Sequence, residues 1–190
     1  RRDSVPRLGI VVAFAALFAG YVVLSAVLPP ADDELYYWCW AQTPQLSYFD
    51  HPPMVAWLIR ISTELFGDSL VALRLPACVS TLVVFAVICW LTRPLSLIAM
   101  VFLTPLFTLG AILVTPDTPL MLFWSLYLAW LTCVHRRLTP EVSEEPNPDP
   151  GTPIPVWMWL VGGLILGCAG LGKYTSVLAV PAGFVSFLMA

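Results

Sequence analysis

Apolar residues along this chain gather in long runs separated by short polar breaks, with no sustained alternation of apolar and polar positions. The runs predict six helices, over about 8–28, 69–92, 95–114, 118–134, 154–172 and 174–190. Each is close to the roughly 20 residues that a helix needs to cross about 30 Å of hydrocarbon. Unpaired backbone groups are too costly in lipid for any open segment other than a helix. The predicted fold class is therefore an all-α, multi-pass transmembrane helical bundle.

The connection 29–68 contains a stretch of a different kind. Residues 53–66 (PMVAWLIRISTELF) are too short and too polar to span. Met54, Trp57, Leu58, Ile61 and Leu65 recur at helical spacing, with Arg60, Thr63 and Glu64 off that stripe. The pattern predicts an amphipathic helix lying in the membrane interface, with Arg60 and Glu64 paired at i,i+4.

Composition supports a membrane setting. Of 190 residues, 59% are hydrophobic and 11% are charged, against about 25% charged in a soluble domain. A net charge of -3 gives no reason to expect a nucleic-acid partner. Four of the five cysteines (Cys78, Cys89, Cys133 and Cys168) fall in apolar runs and read as buried small hydrophobes. Cys39 stands in a loop with no obvious partner. The first run follows Arg1, Arg2 and Arg7 but lacks a small-x-small cleavage pattern, so it reads as a retained span. The chain stops inside an apolar run at Ala190, which suggests the first part of a longer protein.

Basic residues orient the bundle. Arg1, Arg2, Arg7, Arg93, Arg136 and Arg137 share one side when the spans alternate, and the positive-inside rule makes that side cytoplasmic. The acidic, proline-rich connection 135–153 lies there too and reads as a tether. The opposite face receives 29–68, 115–117 and 173, and the candidate chemistry gathers there.

Asp32, Asp33 and Glu34 stand beside Tyr36, Tyr37, Trp38 and Trp40. Acids just beyond a span can simply cap a helix. A carboxylate against a partly apolar cavity can also act as a general base or bind a metal. Asp50 can orient His51 or cap the interface helix, and Pro52-Pro53 suit its entrance. These two residues do not establish a zinc site. Asp117, in a Thr-Pro-Asp-Thr-Pro turn, is the only charged residue between Arg93 and His135, and it emerges on the same face as Asp33. Lys173 breaks the positive-inside pattern. It can snorkel to the interface or pair with a lipid phosphate, as can Arg74 and Arg60. The GLGKYT string around Lys173 lacks P-loop spacing.

The stretches DELYYWCW, YFDHPPMVAWL, FGDSLVALRLP, TPDTPLMLFW and GKYTSVLAVP together resemble bacterial membrane glycosyltransferases of the protein-mannosyltransferase and aminoarabinose-transferase superfamily. The resemblance runs from about residue 8 to 190 and implies a GT-C-like fold of which this chain is the amino-terminal portion. It implies a sugar transferred from a polyprenyl-phosphate donor to a lipid, glycan or protein acceptor, on the outer face of a bacterial inner membrane, with inversion. Asp33 matches the catalytic base and Asp117 the second-loop acid that orients the acceptor or assists the base. Lys173 matches the lysine of a serine-lysine-tyrosine pattern that has glycine at 172 here, and it would bind the donor phosphate. Arg74, in the exit block, would help with the donor or fasten the interface helix. Glu34, Asp50, His51, Tyr36 and Tyr37 would organise the loop or the acceptor. No cofactor is specified, and a divalent cation is left open. The competing readings are a lipid or solute transporter and a noncatalytic membrane scaffold.

Overall fold

A computed structural model describes residues 7–92, 110–138 and 153–188. Among them the ordered elements are all helical: α1 (Arg7–Val27), α2 (Asp32–Gln42), α3 (Met54–Phe66), α4 (Leu70–Thr92), α5 (Asp117–Leu138), α6 (Val156–Gly172), a 3-10 turn (Tyr174–Leu178) and α7 (Ala179–Leu188). The expected span over 95–114 lies outside the described residues except for its last five positions. So does most of the connection 135–153, together with Arg1, Arg2 and Arg93.

Two helical stretches, Leu70–Leu91 and Asp117–Leu138, are long and apolar enough to cross a membrane. At 22 residues each they reach about 33 Å. A third counts if α1 and α2, bent by 90° at their junction, form one broken span. The expectation of six spans thus exceeds what the described residues display. The 17-residue α6 is short of a full span, and the segment after it is split by the 3-10 turn before α7 begins.

Helix boundaries follow local chemistry. α1 ends just before Pro29-Pro30, which disfavour helix in the residue before each and supply no N–H. α2 then starts with Asp32, Asp33 and Glu34 in its first turn, where negative charge complements the helix dipole. α3 ends at Gly67, whose φ of 80° a side chain would disfavour. Ser69 opens α4, its hydroxyl accepting from Ala72 N at 3.1 Å.

Pro76 sits inside α4 and cannot donate to the Ala72 carbonyl. The buried Ser62 hydroxyl of α3 donates to that carbonyl at 2.6 Å. The bond satisfies an oxygen that the helix leaves orphaned, and it ties α3 to α4.

Residues buried from α3 are Met54, Val55, Ala56, Ile59, Ser62 and Thr63. Of the apolar stripe seen in the sequence, Ile61 and Leu65 are exposed, Trp57 and Leu58 half-buried and Met54 buried. Arg60 and Glu64 pair as expected.

α5 packs against α6 and α4, α4 against α1 and α3, and α2 against α3. One core cluster joins Tyr37, Ala41, Val55, Ile59, Leu73, Ala77 and Val114 beneath the α2–α3 pair. Gly162 lets the Trp130 ring lie on α6, and the Trp130 indole donates to Met158 O at 2.8 Å. The outward face of α6 carries exposed Val156, Trp157, Leu160 and Leu164, an apolar surface suited to lipid. Of the four thiols expected to be buried, only Cys78 is, because the other three lie on partly or fully exposed helix faces.

The two ends of the bundle differ. At one, the Arg136 guanidinium stacks over Trp90 at 5.1 Å, bringing the carboxyl-terminal ends of α4 and α5 together. The other gathers the end of α1, α2, the start of α4, the 114–118 segment and the α6 exit.

Candidate active site

The polar end is built around Glu34. Both Glu34 and Arg74 have fully buried side chains. Arg74 Nη2 lies 2.6 Å from Glu34 Oε2, and Nε donates to both carboxylate oxygens at 2.9 and 3.2 Å. The remaining guanidinium donors reach carbonyls at the end of α1: Ser25 and Leu28 through Nη1, and Pro29 through Nη2. These are carbonyls that the end of a helix leaves without partners. Glu34 also accepts from Ala31 N at 3.0 Å and Val114 N at 3.3 Å. One ion pair therefore fixes the α1–α2 corner, α4 and the segment leading to Asp117.

This geometry bears on the two roles expected for Arg74, donor contact and fastening. Its three guanidinium nitrogens are already bonded inside the protein, so it fastens the loop and has no exposed edge to offer a donor phosphate. Glu34 likewise organises the loop from within, with no face toward an acceptor.

Asp33, one residue away, is exposed on α2. One turn along, Tyr37 is buried at 7% exposure. Burial raises the pKa of the Tyr37 hydroxyl, and the negative charges of Asp33, Asp117 and Asp50 raise it further. Three acids far apart in the chain thus bear on one phenol. The Tyr36 hydroxyl donates to Asp50 Oδ2 at 2.9 Å, and that bond, before any other influence, raises its own pKa. His51 lies edge-on to Tyr37, with ring centroids 6.2 Å apart.

The intervening loop is held by its own aromatics. Trp40 and Tyr48 stack at 4.5 Å, and the Tyr48 hydroxyl donates to Trp40 O at 2.9 Å. Trp57 Nε1 donates to Gln45 O at 3.0 Å. Asp50 and His51 are thereby carried on a braced loop.

Asp117 is the first residue of α5, and its Oδ1 lies 2.7 Å from Lys173 Nζ. Beside this contact Gly172 packs closely against the start of α5. A β carbon there would stand 3.1 Å from Leu120 N and 3.2 Å from the Pro119 ring. Glycine lets the end of α6 approach the start of α5. Beside Asp117, α4 and α5 border a largely apolar cleft of about 280 Å³, lined by Ala77, Val84, Thr118 and Met121 among others. Among the described residues, no three His, Cys, Asp or Glu side chains converge as a metal cluster.

Residues 50–140 match the family model described as dolichyl-phosphate-mannose-protein mannosyltransferase. The chain is also 28% identical over 169 residues to the lipid A galacturonosyltransferase RgtD of Rhizobium johnstonii, an alignment covering 83% of this chain and 32% of that protein. It therefore spans about a third of the length of that relative. Both likenesses are to glycosyltransferases.

The family match begins at Asp50 and takes in His51, Arg74 and Asp117. Asp33, Glu34 and Lys173 lie outside that matched stretch, and the fold brings them to the same end. The apolar helices, two of them long enough to cross a membrane, and the likeness to glycosyltransferases point to an integral membrane protein. No solved structure matches the chain. The organising contacts that sequence reasoning missed are Val114 N on Glu34, Ser62 on the Ala72 carbonyl and the Gly172 approach. Pro76 was the available signal for the second, because it announces an unpaired carbonyl four residues earlier.

Proposed function

We propose that this chain forms part of a membrane glycosyltransferase that moves a sugar from a polyprenyl-phosphate donor to a lipid, glycan or protein acceptor. The observation that carries the reading is the gathering of Asp33, Asp50, Asp117 and Lys173 at one end of an apolar helical bundle. Arg136 and Arg137 at the other end support placing the acidic end on the outer face of a bacterial inner membrane, in a bundle read from the apolar runs as about six spans. The exposed Ile61 and Leu65 of α3 support an interfacial helix on that face.

In this reading Asp33, open to solvent, takes the proton from the acceptor hydroxyl or amine as that atom attacks the anomeric carbon. The bond from the anomeric carbon to the phosphate oxygen breaks as the new glycosidic bond forms. Lys173 offsets the charge that grows on the departing phosphate. Asp117 and Asp50 orient the acceptor, while Tyr36 and His51 hold Asp50 and its loop. The displacement is direct and inverts the anomeric configuration.

Transfer of labelled sugar from polyprenyl phosphate by the full-length protein tests the reading. Transfer with inversion, lost in Asp33→Asn and reduced through donor affinity in Lys173→Ala, is the expected result. Normal transfer by both variants in correctly inserted protein would overturn the site. Retention of configuration would overturn direct displacement.

A further inference from the structure

Lys173, to which the proposed reaction assigns the donor phosphate, is already engaged by an acid assigned to the acceptor. Its Nζ stands 2.7 Å from Asp117 Oδ1, and the two side chains are 31% and 56% exposed. Close packing at Gly172 sets the backbone separation between the α6 exit and the start of α5. A lysine ammonium has three donors but one charge, and a carboxylate at contact distance competes for it with an incoming phosphate. Arg74 cannot substitute, being closed in by Glu34 and three carbonyls.

We infer that Asp117 is an exchangeable partner of Lys173, occupying the phosphate's place until the donor arrives. Resting on the proposed function, this assigns Asp117 a role in donor binding beside its role toward the acceptor. Donor binding moves Lys173 from carboxylate to phosphate and releases Asp117 toward the acceptor. The donor then binds before the acceptor. After transfer the phosphate monoester carries more negative charge than the diester it came from, and Asp117 competes with it for Lys173 as the product leaves.

The partial exposure of both groups makes the exchange cheap. An ion pair open to water contributes only a few-fold to an equilibrium constant, so a phosphate can displace its anionic member without breaking the fold.

The test titrates unglycosylated polyprenyl phosphate into full-length protein and measures Kd for wild type, Asp117→Asn, Lys173→Ala and the double variant. Asp117→Asn is expected to bind roughly threefold to fivefold more tightly as its competing charge disappears. Lys173→Ala binds more weakly, and Asp117→Asn brings no tightening in that background. Asp117→Glu, which keeps the charge, binds as wild type does. Asp117→Ser, a good helix-opening residue, repeats the neutral arm should the asparagine variant fold poorly. Unchanged or weaker binding in the neutral variants, with Lys173→Ala still impaired, would overturn the exchange and leave the donor site standing. Unchanged binding in Lys173→Ala would overturn the phosphate assignment and the exchange together.

Discussion

Glu34 and Arg74 are fully buried and bonded on several sides, whereas Asp117 and Lys173 are partly open to solvent and share a single short contact. Both pairs join an acid to a base across distant parts of the chain at the same end of the bundle. The first fixes the α1–α2 corner, α4 and Val114 in one arrangement. The second stands where a ligand can reach it. A buried pair resists exchange because either charge left alone would lack solvation, while an exposed pair gives way readily. The same chemistry thus serves construction in one place and is available for binding in the other.

The largest effect that would break this contrast is at Arg74. Arg74→Ala leaves the Glu34 carboxylate and three carbonyls without their partner and is expected to cost about 3–5 kcal/mol. Thermal unfolding in detergent checks it. Arg74→Lys should recover little, because an ammonium cannot reproduce the guanidinium fork. Stability close to wild type in both variants would mean that the buried pair does not hold the corner.

Ser62→Ala follows, at about 1–2 kcal/mol, through the unsatisfied Ala72 carbonyl beside Pro76. Restoring the α4 N–H in the Ser62→Ala, Pro76→Ala double variant should recover part of the loss in the same unfolding assay. Gly172→Ser, the substitution that would restore the serine of the related pattern, should leave thermal unfolding nearly unchanged. It pushes the start of α5, and Asp117 with it, by a few tenths of an ångström and should slightly tighten polyprenyl-phosphate binding by loosening the Asp117–Lys173 contact. A titration showing affinity unchanged would remove the role given to that glycine.

The smallest effect concerns pH. The Tyr37 pKa is raised by burial and by the nearby acids, so the folded protein holds that proton more tightly than the unfolded chain does. Its stabilisation is complete below the usual tyrosine pKa of about 10 and is lost as pH rises through the higher folded value. Tyr37→Phe should therefore lose less stability than wild type above about pH 10. Parallel alkaline unfolding curves would contradict the assignment.

Much of the helical fold was legible because apolar runs and polar breaks carry it directly. The α3 segment was visible from the spacing of Trp57, Ile61 and Leu65, although the burying face proved to be the one bearing Ala56, Ile59 and Ser62. α2 was harder to see. Its buried residues, Glu34, Tyr37 and Ala41, lie on one helical face, but a charge begins the stripe and conceals it from a hydrophobic pattern. Asp117 and Lys173 could be assigned to one end by alternating spans, yet their contact, beside the close packing at Gly172, arises only in the packed fold. Arg74 could not be sorted from a phosphate ligand by residue type, since burial alone distinguishes the two uses.

Adjacent residues offer the most direct test of the contrast between architecture and chemistry. Asp33→Asn and Glu34→Gln in full-length protein should be compared for labelled-sugar transfer and for thermal unfolding. The expected result is that Asp33→Asn loses about 100-fold or more in transfer at wild-type stability, while Glu34→Gln loses stability and transfer together. Normal transfer by Asp33→Asn, or wild-type stability in Glu34→Gln, would contradict the account.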